Sequence, residues 1–264
     1  MKLPVALTIA GSDSGGGAGI QADLKTFAAL GVFGTSAITA VTAQNTLGVT
    51  EIIELLPGLV AAQIDAVMLD IGAQAAKTGM LSSAEIIEVV STAIERHNIR
   101  NLVVDPVMVA KGGARLLRRD AVDALRLRLL PLAAIVTPNL PEAEVLLGRP
   151  IRTLDDRRQA ARDLVALGAR AAVLKGGHTD ETLSIDHYFD GTELVELQSL
   201  RIATTNTHGS GCVFSAAIAA ELAKGSDSLA AVHQAKEFIT GAIERSLELG
   251  RGHGPVNPMF KIVV

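Results

Sequence analysis

Short β-branched apolar runs alternate along the chain with longer segments whose apolar residues return every three or four positions. Those two periods mark strands and helices. Val5 to Ala10 reads as a buried strand, Gly11 to Gly17 as a glycine-rich loop, and Ala18 to Leu30 as a helix with Ile20, Leu24, Phe27 and Leu30 at core spacing. Phe33 to Ala43 is a second strand and Glu51 to Leu55 a short extended piece. Pro57 suits the first turn of a helix that runs to about Leu69. Ala75 to Thr78 is a small strand, and Ser82 or Ser83 caps the next helix, which ends near His97. Leu102 to Val104 is a strand stopped by Asp105-Pro106; Lys111-Gly112-Gly113 is a loop, and Asp120 to Leu130 a helix.

The second half keeps the alternation. Ala134 to Thr137 and Ala171 to Lys175 read as strands, with helices over Pro141 to Leu147 and Leu154 to Leu167 between them. Thr182 to Phe189 and Glu193 to Leu197 form a hairpin around Asp190-Gly191. Two alanine-rich helices, Gly209 to Lys224 and about Ser228 to Leu247, precede a loop tail at Gly252-His253-Gly254-Pro255. Strands alternating with helices predict a mostly parallel sheet covered on both faces, a single three-layer α/β/α domain over residues 1–264.

Composition narrows the class. With 48% hydrophobic residues among 264, a sizeable core is available, although no Trp and one Tyr leave aliphatic side chains to fill it. The formal charge of −4, without a basic block, argues against nucleic acid as a partner. No apolar run approaches the ~20 residues of a membrane span, and the start lacks the apolar region of a signal peptide. One cysteine excludes an intrachain disulfide framework. A soluble cytoplasmic protein without a membrane partner is expected.

In such a sheet, ligands sit at the carboxyl ends of strands. The residues found there are Gly11 to Ser14, Gln44-Asn45, Gly79-Met80, Asp105, Asn139 to Glu142, Lys175 to Gly177, and the stretch Thr204 to Cys212. The last runs from small polar residues into an alanine-rich helix. Gly209-Ser210-Gly211 lets a ligand approach the backbone closely, and the helix start supplies unpaired N–H groups and a positive dipole end. This pattern suits an anion such as a phosphate; the alternative is an ordinary cap. Asp105 and Glu142, with Asn139, are hard oxygen donors suited to Mg²⁺, or else helix caps. Lys175 would put a cation near phosphates, or face water. None of the six histidines pairs at a transition-metal spacing. Gly17-Ala18-Gly19-Ile20-Gln21-Ala22 fits a dinucleotide fingerprint. However, a long loop separates it from the strand, and Gln44 rather than an acid ends the second strand. A glycine loop closing over a small substrate fits better, with Gln44 able to donate and accept at a heterocycle edge.

The blocks Gly11-Ser12-Asp13-Ser14-Gly15-Gly16-Gly17-Ala18-Gly19-Ile20-Gln21-Ala22-Asp23, Lys77-Thr78-Gly79-Met80-Leu81, Val104-Asp105-Pro106-Val107-Met108, Thr137-Pro138-Asn139-Leu140-Pro141-Glu142 and Asn206-Thr207-His208-Gly209-Ser210-Gly211-Cys212 resemble bacterial hydroxymethylpyrimidine/phosphomethylpyrimidine kinases, of the ribokinase-like superfamily. The resemblance covers essentially the whole chain. It implies ATP-dependent phosphorylation of an aminopyrimidine alcohol and then of its monophosphate, in thiamine biosynthesis, with ATP and Mg²⁺ as cofactors and a homodimer. It implies that Gln44 binds the aminopyrimidine in a pocket lined by Gly11, Ala18, Met80 and Val107, with Asp23 near it. Gly209, Ser210 and Gly211 would hold the transferred phosphoryl group, with Cys212 as base. Asp105 and Glu142 would organise Mg²⁺, while Lys175 and Asn139, with Glu142, would serve ATP. Lys111-Gly112-Gly113 would lie in a flap over the substrate. A thiol at a helix N-terminus is expected to have a lowered pKa. The alternatives are a pyridoxine/pyridoxal kinase of the same branch or a non-catalytic nucleotide-binding protein.

Overall fold

The structure is a computed structural model that describes residues 3–109, 113, 116–118, 121–177 and 182–262. His178 and most of the expected flap lie outside them. Among the described residues, nine strands form one sheet in the order β3-β2-β1-β4-β5-β6-β7-β8-β9. These are β1 (Val5–Asp13), β2 (Phe33–Asn45), β3 (Gly48–Glu54), β4 (Ala75–Thr78), β5 (Leu102–Val104), β6 (Ile135–Val136), β7 (Ala171–Leu174), β8 (Leu183–Phe189) and β9 (Leu194–Leu200). Strands β2, β1, β4, β5, β6 and β7 run parallel, while β3, β8 and β9 pair antiparallel at the two edges.

Successive strand residues face opposite sides of a sheet, and the two cores follow that rule. Leu7, Ile9, Leu102, Val104 and Leu174 pack with α2 (Pro57–Asp70), α3 (Ala84–Arg96), α5 (Leu140–Leu147) and α6 (Leu154–Ala166). Their neighbours Ala6, Val103 and Val173 pack with α1 (Gly19–Ala29), α7 (Ser210–Lys224) and α8 (Ser228–Glu244) on the other face. The expected three-layer arrangement, ribokinase-like in form, is therefore the observed one. Alanine at 216, 217, 219, 220, 231 and 235 lets α7 and α8 lie close together in the second core.

Several local expectations are corrected. Strand β1 continues through Gly11, Ser12 and Asp13, where a loop was expected, because its ladder with β2 resumes beyond a bulge between Ala10 and Ser12. The extended piece at 51–55 is the second arm of a hairpin on β2, starting at Gly48. Of the two serines expected at the start of α3, Ser83 is the cap, as allowed, and it accepts from the Ile86 N–H. The helix expected from Asp120 to Leu130 is one turn, α4 (Ala121–Ala124), followed by a π-helical turn over Leu125–Leu129 and a 3₁₀ turn over Leu130–Leu132 that contains Pro131. A proline has no N–H for the regular ladder, which ends the helix there.

Strand β1 lies between β2 and β4, so the chain leaves β1 to one side and later returns on the other. Such a switch point opens a crevice at the carboxyl ends of the two strands. Gly11 and Met80 meet there: a Cβ on Gly11 would sit 3.1 Å from the Met80 sulfur.

Candidate active site

A cleft of about 650 Å³ runs along the carboxyl ends of the strands. Its wall includes Gly11, Ala18, Gln44, Met80, Val107, Asp105, Asn139, Glu142, Lys175, Gly209, Ser210, Gly211 and Cys212, so one surface gathers every expected site residue except Asp23. Gln44, Met80, Val107 and Met108 line it beside β2, β4 and β5, and Gly177, Asp186, Lys236, Ile239 and Ile243 line it beside β7, β8 and α8.

The turn into α7 lines the same cleft. Gly209 occupies the left-handed region at φ +78°, and a Cβ there would overlap the Gly17 carbonyl oxygen. Only glycine fits both constraints. The helix begins at Ser210, which leaves the first-turn N–H groups of Gly211 and Cys212 without intrahelical partners on the cleft wall. A Cβ on Gly211 would lie 3.3 Å from the Lys175 ammonium and 3.6 Å from Asp105, so this turn, the lysine and the carboxylate are immediate neighbours.

Lys175 and Asp105 pair at 3.0 Å, and Asp105 is also approached by the hydroxyls of Ser215 (3.3 Å) and Thr137 (3.4 Å). Burial alone would lower the Lys175 pKa, but Asp105 and Glu142 hold it above its ordinary value. Glu142 does cap its helix: its carboxylate accepts from the Asn139 N–H (2.8 Å), and the Asn139 side chain accepts from the Glu142 N–H (2.9 Å). Capping and cleft lining thus coincide in these two residues. Burial, with Asp105 adding to it, pushes the Glu142 carboxyl up to about 7 against the pull of Lys175.

That shift has a consequence for stability. Between the ordinary carboxyl value of 4.5 and about 7, the folded protein keeps a proton that the unfolded chain has lost. Stability therefore falls as pH rises through this window. Glu142→Gln, which preserves the capping pattern, should make the ligand-free protein more stable at pH 8 by about 1–3 kcal/mol and leave it unchanged near pH 4. Urea unfolding at the two pH values measures this; equal effects at both would refute it.

Two expectations about single residues fail. Asp23 is fully buried behind the cleft, where it pairs with Lys77 at 2.9 Å and accepts from the Thr8 hydroxyl at 2.6 Å. It touches the site only through Lys77, which does line the cleft. Lys77 was not singled out from the sequence, since a lysine inside a small apolar strand gives no sign of its partner. Burial disfavours its charge, yet Asp23 holds its pKa above the ordinary lysine value. The Cys212 thiol is not lowered by its helix end. Burial pushes it up to about 11, with Lys77 and an N–H from Gly19 opposing the rise.

Asp13 and His208 belong to the strand-end inventory, and the pairing between them is what the sequence did not reveal. Asp13, buried at the end of β1, accepts from the N–H groups of Gly15, Gly17 and Ala18 and from His208 Nε2 (2.9 Å). Burial works against its charge, but His208 and the N–H groups of Ala18 and Gly15 hold the carboxyl below its usual range. The glycine loop is thereby folded around a carboxylate, which explains its turns without a dinucleotide.

The parallel sheet, the positive helix end, the lysine and the two buried carboxylates in one cleft define a phosphotransferase of the ribokinase-like class. Comparison with known proteins narrows this. The phosphomethylpyrimidine kinase family model matches residues 13–257, and the chain belongs to that family. It is 51% identical over 258 residues to a hydroxymethylpyrimidine/phosphomethylpyrimidine kinase of Bacillus subtilis, covering 97% of this chain and 95% of that one. A thiamine biosynthesis bifunctional protein of Geobacter sulfurreducens is 54% identical over 251 residues; the match covers 95% of this chain but spans only about half (51%) of that longer protein. Among solved structures, the ADP complex of Bacillus subtilis pyridoxal kinase superposes with a TM-score of 0.91 at 43% identity, covering 97% of both chains. No helix among the described residues is long and apolar enough to cross a membrane.

Proposed function

We infer that the protein phosphorylates 4-amino-5-hydroxymethyl-2-methylpyrimidine with ATP, first to its monophosphate and then to the diphosphate, in thiamine biosynthesis. The observation that carries the reading is the junction of the Gly209–Cys212 turn with the Lys175–Asp105 pair, in the one cleft that Gln44, Ile239 and Ile243 also line. Phosphoryl transfer depends on alignment and on neutralising charge, with little covalent help from the protein. The N–H groups of Gly211 and Cys212 face the transferred phosphoryl group, and Lys175 balances the charge that spreads over its oxygens.

The donor set fits Mg²⁺. Asp105 and Glu142 are both buried beside Lys175, and a hard cation bound there would favour both as carboxylates. Two carboxylates are what this ion uses when waters and substrate phosphates complete its shell. When bound, it would neutralise the polyphosphate; Asp105 and Glu142 would hold it. Ile239, Ile243 and Phe214 wall the adenine. Gln44 grips the aminopyrimidine edge, with Gly11, Ala18, Met80 and Val107 closing the pocket, and Cys212 takes the hydroxyl proton. We further propose a cytoplasmic homodimer; exposed apolar side chains at Leu47, Ile53 and Leu56, on and beside β3, support an association surface.

A coupled assay of ADP release tests the function. Two ADP per hydroxymethylpyrimidine are expected. No ATP consumption with that alcohol would sink the reading and favour a non-catalytic protein. The pyridoxal kinase reading draws support from the similarity to a solved pyridoxal kinase. Turnover of pyridoxal above that of hydroxymethylpyrimidine would establish it instead.

A further inference from the structure

Gln44 lies between two neighbours whose donor and acceptor roles can be worked out. Three backbone N–H groups make Asp13 an acceptor, and its carboxyl sits below the usual pKa range. His208 Nε2, 2.9 Å from Asp13 Oδ2, must therefore carry a proton, whether the ring is neutral or charged. The same nitrogen is 3.4 Å from Gln44 Nε2, also a donor, and two donors do not bond. On the other side, the single Thr42 hydroxyl proton is 2.9 Å from the Ser12 carbonyl and 3.2 Å from Gln44 Oε1, two acceptors for one proton. Turning the Gln44 amide over removes the donor–donor contact: its oxygen then faces the positive edge of His208 Nε2–H, whose one proton stays on the shorter bond to Asp13, and its NH₂ donates to the Thr42 oxygen, whose own proton goes to Ser12. Amide orientation is settled by such networks, since oxygen and nitrogen have nearly the same shape.

We propose that the Asp13–His208 pair, with Thr42, locks the Gln44 amide in this one orientation and thereby sets which heterocycle edge the enzyme accepts. His208 is itself held rigidly. Its N–H donates to the Gly254 carbonyl (3.0 Å), its carbonyl accepts from the Val256 N–H (3.1 Å), and the Gly17 backbone abuts its ring. The locked amide offers the cleft an acceptor on the His208 side and a donor on the Thr42 side. An edge with an amino group next to a ring nitrogen matches this pattern. The 4-oxo analogue, with a carbonyl next to a ring N–H, reverses it and leaves both groups unpaired. Asp13 and His208 are positioning residues that act through Gln44.

The inference rests on the functional reading above, and its test separates the two. The measurement is the ratio of kcat/KM for hydroxymethylpyrimidine to that for its 4-oxo analogue. The unaltered enzyme should favour the amino compound by about 10³-fold or more, as sites with buried hydrogen-bonding groups do. His208→Phe frees the amide to turn, and the ratio should fall below about tenfold. His208→Gln, whose amide nitrogen stands near the position of Nε2, should restore most of it. Thr42→Val, which keeps the branched shape and removes only the hydroxyl, should lower the ratio about tenfold. An unchanged ratio in His208→Phe and Thr42→Val overturns the proposal, as does equal loss in the Phe and Gln variants, which marks a merely structural histidine. Absence of turnover of either compound by the unaltered enzyme overturns the functional reading as well, a result distinct from an unchanged ratio.

Discussion

Replacing Cys212 by alanine should slow the first phosphoryl transfer about 10²–10³-fold and the second less than about threefold, because only the first acceptor is an alcohol that must lose a proton. In the second transfer the acceptor is a phosphate, already largely ionised near neutral pH. The pH profile sharpens the test. With the thiol pushed up to about 11 by burial, the reactive thiolate is scarce at pH 7 and grows tenfold with each pH unit. For the free enzyme, kcat/KM of the first step should therefore keep rising from pH 7 to pH 10 with a slope near one. A plateau at pH 7–8 would mean that the thiol is not the base, or that its environment differs from the one described. Cys212→Ser should behave like the alanine variant, since a serine hydroxyl is a far weaker acid. Equal losses in both transfers would refute a proton-transfer role.

The second large effect concerns the ion pair behind the cleft. Asp23→Ala strands a fully buried ammonium on Lys77 and should cost about 3–5 kcal/mol of folding stability, measured by urea unfolding. The double variant Asp23→Leu with Lys77→Met removes both charges at similar volume and should recover most of that loss, because apolar replacements repay the desolvation of a buried pair. A double variant as unstable as Asp23→Ala alone would show that packing, not charge, controls this position. The double variant separates stability from chemistry as well. Lys77 is one of two groups that oppose the rise of the Cys212 thiol. Asp23 acts on the thiol in the opposite direction, so removing both partners should leave a well-folded protein whose first transfer is changed less, relative to its second, than by removal of Lys77 alone.

The contrast between Asp23 and Gln44 shows how far the chain could be read from its residues. Gln44 ends a strand, and strand ends in a parallel sheet open onto the ligand crevice, so its place on the cleft follows from topology that periodicity reveals. Asp23 falls on the inner face of α1 at a spacing that suits core or rim equally. Its burial was decided by Thr8 and Lys77 from two other strands. Glu142 and Asn139 were legible as oxygen donors at a strand end or as helix caps, and the structure adds that they cap α5 reciprocally while lining the cleft.

Backbone sterics and periodicity act over a few residues, and these determined the order of strands and helices, the glycine-only turn at Gly209 and the positive helix end beyond it. Proline marked the start of α2 for the same reason. Tertiary structure alone decided the rest. The hairpin arm on β2, the pairing of Asp13 with His208 across 195 positions and the proton-holding lysine beneath the cleft depend on which surfaces meet, and no local pattern records that. The same holds for Cys212. A helix end favours the thiolate, but burial costs it more, and how deeply a side chain is buried is set only when the layers close around it.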